Sequence, residues 1–476
     1  MNFNFLHQNT EKRRELILNG PISTTLLLLS VPTLMMGLVQ SIMPVMDGIF
    51  INNIVGTIGA SAITYSGPII NMMVALAQGL SVAGMAMIGQ MNGKGNYKNA
   101  KHVSTQIVIF AFLIGCITAP LLYLLAFPIS SRVDSQISHD VFLYLALNSL
   151  VLPFSFLESI YNAIKNANGK PEATFIRMIL MLILKIVFNV LFIVVFHFGL
   201  IGSVMSSLVS NMLICIWMFY ELFIKEGDDK LILKGFKFDF KVLKRLIKIG
   251  VPSMISSLML NLGFFLINNE TEKYGPVVLT GQGIANNISS VCFNLPSAFG
   301  SSITTMVSMN VGAGQGDKAK KSTVVACIIS AITAAILIAI VVPLSSSLTV
   351  LFTHEQNVLD IANKSLHIYT YSVIGFGICM VEQGAFIGLG RTGVPLIISI
   401  LRIWLLRYLF LLGTERYLSF YSVFWGNLFS NYMAAIITTI LITRIKWVSS
   451  ISQSNSINEN AGKTSTALKY KESHSS

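Results

Sequence analysis

Long, almost uncharged apolar runs recur from one end of this chain to the other, with short polar or basic stretches between them. A run of about 20 such residues is long enough to cross a bilayer as a helix. Burial in a soluble core does not account for them: 53% of the 476 residues are hydrophobic and only 11% are charged, against about 25% charged in soluble domains. The fold class expected is therefore an all-α integral membrane protein.

Twelve candidate spans lie near 24–52, 62–91, 104–128, 139–164, 173–196 and 199–224, then 246–268, 281–310, 322–352, 361–388, 394–412 and 420–443. The net charge of +12 is distributed between the runs and is not gathered on a soluble basic module, so no nucleic-acid partner is expected. Lys12, Arg13 and Arg14 precede span 1. Lys94, Lys98 and Lys101 follow span 2, Lys165, Lys170 and nearby Arg177 follow span 4, and Lys230 to Lys248 follow span 6. Lys318, Lys320 and Lys321 come after span 8, and Arg391 after span 10. The alternate connections are nearly free of Lys and Arg. The positive-inside rule then predicts a multi-pass protein of the plasma membrane with both termini in the cytoplasm. The polar start, ending EKRRELILNG, has no cleavable-signal centre, so the first span itself is expected to direct insertion. The five cysteines are widely spaced in apolar segments, form no CxxC, and read as small core residues. His197 and His367 are isolated and lack metal-ligand spacing, so no metal or other cofactor is expected.

Four landmarks repeat. Val31-Pro32 returns as Val251-Pro252, Gly93-Lys-Gly95 as Gly312-Ala-Gly314, Pro120-Leu121 as Pro343-Leu344, and Gly169-Lys170 as Gly390-Arg391, at offsets of 220, 219, 223 and 221. Near-constant spacing implies duplication, and an even number of spans per half makes the repeat parallel about an axis along the membrane normal. The organisation expected is a cytoplasmic segment 1–20, an N-lobe 21–225, an amphipathic cytoplasmic connector 226–245, a C-lobe 246–447 and a disordered cytoplasmic tail 448–476. The Gly-rich stretches follow no strand, so they read as helix-joining turns and not as phosphate loops.

One ionisable group, Asp47, stands in the run Ser30 to Gly56. A mid-membrane Asp costs about 2.5 to 3.5 kcal/mol on insertion scales, so such residues usually serve a polar cavity or a partner. An acid that titrates there makes protons and organic cations mutually exclusive occupants of one pocket. The alternative is a structural acid held by a lysine or by backbone amides. Pro32 and Pro44 remove backbone donors inside the same helix and permit a kink, either a moving hinge or a fixed bend.

Together, the first helix from Pro32 to Asp47 with the following DGIFINNIVG, the two Gly-rich loops ending Ala-Lys, and Leu389-Gly-Arg-Thr-Gly-Val-Pro395 resemble the multidrug and toxic compound extrusion (MATE) transporters over about residues 20–445. The resemblance implies export of amphipathic, often cationic compounds driven by inward H+ or Na+, and its DinF-like or MepA-type branch fits best. It implies that Asp47 is the coupling acid and that Gln40, Asn162, Asn189 and Ser207 are polar pocket residues beside it. The seventh-helix glutamate of the other branch is absent, since Ser256 to Asn261 contains no acid. Where the branch often has Asn-x-x-x-Asp in its fifth helix, this chain has Lys185-Ile-Val-Phe-Asn189. A second pocket carboxylate is thus missing. Lys185 reads either as an internal cation standing in for Na+ or as a structural, snorkelling lysine.

Secondary candidates are Glu158, Asn261, Glu382 as a second acid in the C-lobe, and Arg402, for which a salt bridge with Glu382 is one expectation. Twenty-one Met and 30 Phe suit an adaptable apolar cavity. The function expected is a monomeric antiporter of small amphipathic compounds in the lipid bilayer. The alternative is a flippase for a lipid-linked saccharide, which Lys185 and Arg402 keep open. No GxSxG, HExxH or paired catalytic carboxylates point to an enzyme.

Overall fold

The computed structural model describes residues 9–50, 57–133, 135–227, 230–233, 235–352 and 354–448; the side chains of Pro44 and Asp47 lie outside the described residues. The described chain is a bundle of helices. In order these are α1 Thr10–Asn19, α2 Ile22–Phe50, α3 Thr57–Gly93, α4 Tyr97–Ser130, α5 Ser135–Ser149, α6 Leu152–Ala167, α7 Pro171–Asn189 and α8 Gly199–Phe219. Then follow α9 Phe240–Glu272, α10 Pro276–Gly312, α11 Gly316–Val350, α12 Gln356–Tyr371, α13 Val373–Gly388, α14 Gly393–Ile400, α15 Tyr408–Leu418 and α16 Tyr421–Arg444. Stretches of π-helix extend α7 (Val190–Val195) and α8 (Tyr220–Ile224) and join α14 to α15 (Leu401–Arg407).

Among the described residues nine helices are long and apolar enough to cross a membrane, and two pairs bent by 50° and 42°, α5–α6 and α12–α13, bring the number to eleven. The outward faces agree. On α11, Val324, Ile328, Ile332, Ile336, Ile340 and Leu344 recur every fourth residue and are each about half exposed, a stripe that in water would be a liability and in lipid is satisfied. Helix α10 is as long as α3, 37 residues each, but carries Gln282, Asn286, Asn287 and Asn294. It affords this polarity by packing against α2, α3, α11, α12 and α13, with Phe299, Ile303, Met306 and Met309 wholly buried against Phe386 of α13, Leu389 just past its end, and Leu26 and Leu29 of α2.

Elements of equal length recur along the chain. Helices α3 and α10 start at 57 and 276, and α6 and α13, 16 residues each, start at 152 and 373. The turns that follow use glycines in the left-handed region: Gly95 (φ 72°) and Gly314 (φ 78°), Gly169 (φ 73°) and Gly390 (φ 77°), a conformation that penalises any Cβ. Helices α3 to α6 pack together, as do α10 to α13. The two groups meet directly where α3 packs on α10, flanked by α2 against α10 and α9 against α3.

Between α8 and α9, the described residues 230–239 run without helix. Leu231 is buried, and the Gln106 amide donates to the Lys237 carbonyl (2.7 Å) and accepts from the Asp239 N–H (3.2 Å). Asp239 then caps α9, accepting from the N–H groups of Lys241 and Val242, so residues 240–245 are the first turns of that helix.

Candidate functional site

Three polar constellations are built on this frame. The first lies between α6 and α7. Arg177, 4% exposed, donates from Nη1 to the Glu158 carboxylate and from Nε to Asn162 Oδ1 at 3.1 Å. Glu158 and Asn162 are one helical turn apart, so one guanidinium fork spans both. Lys185, half-buried on α7, is within electrostatic reach of Glu158, and its carbonyl accepts from Ser206 Oγ on α8 at 3.1 Å. Asn189 is buried one turn further along α7.

The second is a cavity of about 460 Å³ between α9, α10, α12, α13, α16 and the Leu401–Arg407 stretch, lined by Arg402, Arg407, Tyr369, Phe264, Phe293, Phe376 and amides and hydroxyls of α10 and α16. Arg402 donates from Nη1 to Asn431 Oδ1 (3.2 Å) and lies over the Phe376 ring (5.1 Å). Arg407 donates from Nη2 to the Tyr369 hydroxyl (3.5 Å) and lies over Phe264 (5.8 Å).

The third is a seal where the basic loops gather. A Cβ on Gly93 would stand 2.1 Å from the Met309 carbonyl oxygen, and one on Gly312 would stand 2.2 Å from that of Gln90. The Gln90 amide donates to the Gly388 carbonyl (2.7 Å), and Thr305 Oγ1 to the Asn166 carbonyl (3.0 Å). Helix α1 straps the same end. Arg13, wholly buried, pairs with Glu172 of α7, Arg14 donates to the Gly93 carbonyl, and Lys318 Nζ donates to the carbonyls of Leu18 and Gly20.

Of the residues singled out from sequence, Asn162 and Glu158 are thus brought together, with Lys185 near them. Gln40 lies on α2, on an exposed face. Ser207 and Asn261 use their side chains on their own helices, donating to Ser203 O (3.2 Å) and Ser257 O (2.9 Å). Helix α2 runs unbroken through Pro32 and Pro44, and next to Pro32 the Thr33 hydroxyl meets that of Ser302 on α10 (3.1 Å). The Arg402–Glu382 salt bridge is corrected: Arg402 turns to Asn431 and Phe376, while Glu382, 3% exposed, accepts from Thr439 Oγ1 at 2.6 Å. Arg177 is corrected too. It is not a surface topology charge but the buried partner of Glu158. Sequence reasoning passed over Arg407 and Tyr369. The signal for Arg407 was there: a second arginine five residues after the first in an otherwise apolar segment.

The family model described as MatE matches residues 32–191 and again residues 252–412. The Bacillus subtilis (strain 168) "Probable multidrug resistance protein YoeA" is 23% identical over 385 residues, covering 79% of this chain and 83% of that protein. The Staphylococcus aureus (strain MRSA252) "Multidrug export protein MepA" is 21% identical over 433 residues, covering 89% of this chain and 94% of its own. Among solved structures, one described as "Crystal structure of MATE in complex with MaL6" superposes with a TM-score of 0.85 at 20% identity, over 90% of this chain and 96% of that one, a likeness of fold.

Proposed function

The chain belongs to the MatE family, whose members are transporters and not enzymes, and on that premise we propose that it is a secondary active multidrug exporter working by alternating access. Amphipathic organic compounds, with cations suited to the carboxylate of Asp47, leave as H+ or Na+ enters. Asn162, Lys185, Asn189, Gln40 and Ser207 are the polar residues assigned to that acid's pocket, and no cofactor is needed.

The observation that carries this reading is the paired seal at the basic end. Gly93 against Met309 and Gly312 against Gln90 close one end of a two-part bundle with backbone crossings, which is what one limiting state of alternating access requires. The double match of the family model, starting at 32 and at 252, and the helices of equal length support a parallel duplication. On this reading twelve spans divide into lobes 21–225 and 246–447, joined by the connector 226–245, with α10 as the polar span shielded from lipid. The basic loops favour a cytoplasmic side for the sealed end and both termini, and on this reading the form described is the outward-facing state of a plasma-membrane monomer. The names of the relatives favour drug export over a lipid flippase.

Dye efflux from vesicles with imposed pH or Na+ gradients tests the proposal. Wild type is expected to export under at least one gradient, and Asp47→Asn to lose at least about 10-fold of that rate, the scale of one lost charge interaction. Unchanged export in Asp47→Asn removes Asp47 from the mechanism, and no gradient-dependent export by wild type removes the antiporter.

A further inference from the structure

We propose that the cavity of the second half is a binding site for an aromatic organic anion, its carboxylate or sulfonate held between Arg402 and Arg407. This goes beyond the preceding reading, which gives cations a place at Asp47 in the other half.

The backbone makes the arginine pair. A π turn closes from i to i+5, so residues five apart fall on the same side of the helix. In an α-helix, at about 100° per residue, they would diverge by about 140°. Arg402 and Arg407 are five apart inside the π stretch Leu401–Arg407, and both line the cavity.

Their charge is not compensated from within the wall. Both are at least 95% removed from solvent, at 5% and 4% exposure. Their hydrogen-bond partners are neutral, the Asn431 amide oxygen and the Tyr369 hydroxyl, and the Nε atom of each has no partner among the described residues. No Asp or Glu is among the described lining residues. The neighbouring acids are occupied elsewhere: Glu382 accepts from Thr439, Glu270 from Lys273 and Tyr408, and Glu415 from Tyr274. Two guanidinium groups buried in one cavity wall without a counter-charge among the described residues are costly. A guanidinium presents its donors as a planar fork matched to a carboxylate or sulfonate. A structural arginine pair would be expected to carry its own acid, as Arg177 carries Glu158.

The rest of the wall selects the ligand's body. Phe293 and Phe376 meet edge to face at 4.9 Å, and Phe264 and Tyr369 complete an aromatic lining. At about 460 Å³ the space falls in the range of roughly 300–1,000 Å³ typical of small-molecule pockets. That is far more than a bare halide fills, and it suits a fused ring carrying one anionic group.

The test is equilibrium binding to the full chain in lipid nanodiscs, read by calorimetry and independent of transport. The probes are 1-naphthalenesulfonate and 1-naphthylmethylammonium, the same ring system with opposite charge. Saturable binding of the sulfonate at least 10-fold tighter than the ammonium is expected in the wild type. Arg402→Gln and Arg407→Gln should each weaken the sulfonate at least 10-fold, and Arg407→Lys less than Arg407→Gln. Should the arginine variants fail to fold, Ser290→Asp, which sets a carboxylate on the cavity wall, should abolish sulfonate binding in a chain that elutes as wild type. Equal affinity for both probes, no sulfonate binding by wild type, or undiminished binding in a folded Arg402→Gln/Arg407→Gln double variant would each overturn the proposal. Failure of dye export with sulfonate binding intact would count against the antiporter reading alone.

Discussion

Gly93 of α3 and Met309 of α10 cross so closely that a Cβ on the glycine would lie 2.1 Å from the methionine carbonyl oxygen, and Gly312 meets Gln90 in the reciprocal way. What each glycine touches is backbone, which cannot swing aside as a side chain can. The close approach is therefore a property of two helix axes, and it brings Gln90 within reach of the Gly388 carbonyl.

Gly93→Ala and Gly312→Ala should each pry this end apart. Alanine is a better helix former than glycine by about 1 kcal/mol, so local helix stability works against the expected defect, and any loss belongs to the crossing. Efflux should fall at least about 10-fold, in keeping with a missed closed state. Maleimide labelling of Thr305→Cys from the basic side, low in the sealed form because Thr305 is buried, should rise. Normal efflux in Gly93→Ala separates the seal from transport.

Much of this frame was legible because it rests on local chemistry. The Gly-x-Gly and Gly-Lys or Gly-Arg landmarks mark turns at Gly95, Gly169, Gly314 and Gly390, all left-handed, and apolar length alone marks most spans. The site was less legible because its pairings cross between helices. Arg177 looked like a loop charge six residues after Pro171, and only the packing of α6 on α7 turns it towards Glu158, 19 residues earlier. Arg402 and Glu382 look complementary in text, yet the π stretch aims Arg402 at Asn431 instead. The π register that sets it in the same cavity wall as Arg407 leaves no trace in hydropathy.

Arg13 and Glu172 tie α1 to α7 in a nearly dry setting, 1% and 10% exposed at the side chain. Burial pushes the Arg13 guanidinium down to about 10, with Glu172 pulling the other way, so it stays charged at neutral pH and needs its acid. Glu172→Gln should therefore cost about 3–5 kcal/mol, the scale of orphaning a buried charge, and lower the thermal unfolding midpoint in detergent. The double variant Arg13→Met/Glu172→Leu should recover most of that loss. If Glu172→Gln alone matches wild type, the strap contributes no stability.

Arg177 holds Glu158 with Nη1 and Asn162 with Nε. A lysine ammonium can replace the first contact but not both in one plane. Arg177→Lys should therefore fold, with a loss of about 1–2 kcal/mol for the surrendered Asn162 bond, and export more slowly. Arg177→Leu, which strands Glu158, should lose about 3–5 kcal/mol. Unfolding midpoints and vesicle efflux measured on both variants separate the two effects. Equal stability of the lysine and leucine variants would mean that Glu158 is not held as a charge.

Glu382 poses the opposite case, an acid buried with a neutral partner. One oxygen accepts from Thr439 Oγ1 at 2.6 Å, and Oε2 has no partner among the described residues. With no cation among the described residues to hold it ionised, the side chain is better matched by a neutral amide than by a carboxylate. Glu382→Gln should therefore be neutral or mildly stabilising, whereas Thr439→Val, which removes the hydroxyl and keeps the shape, should cost about 1–3 kcal/mol by leaving a buried acceptor unsatisfied. If Glu382 were a coupling acid of the second half, Glu382→Gln would instead abolish gradient-driven efflux while leaving the unfolding midpoint unchanged. Measuring efflux and unfolding on the same two variants decides between a packing role and a transport role, because only a transport role predicts that the conservative amide is the more damaging change.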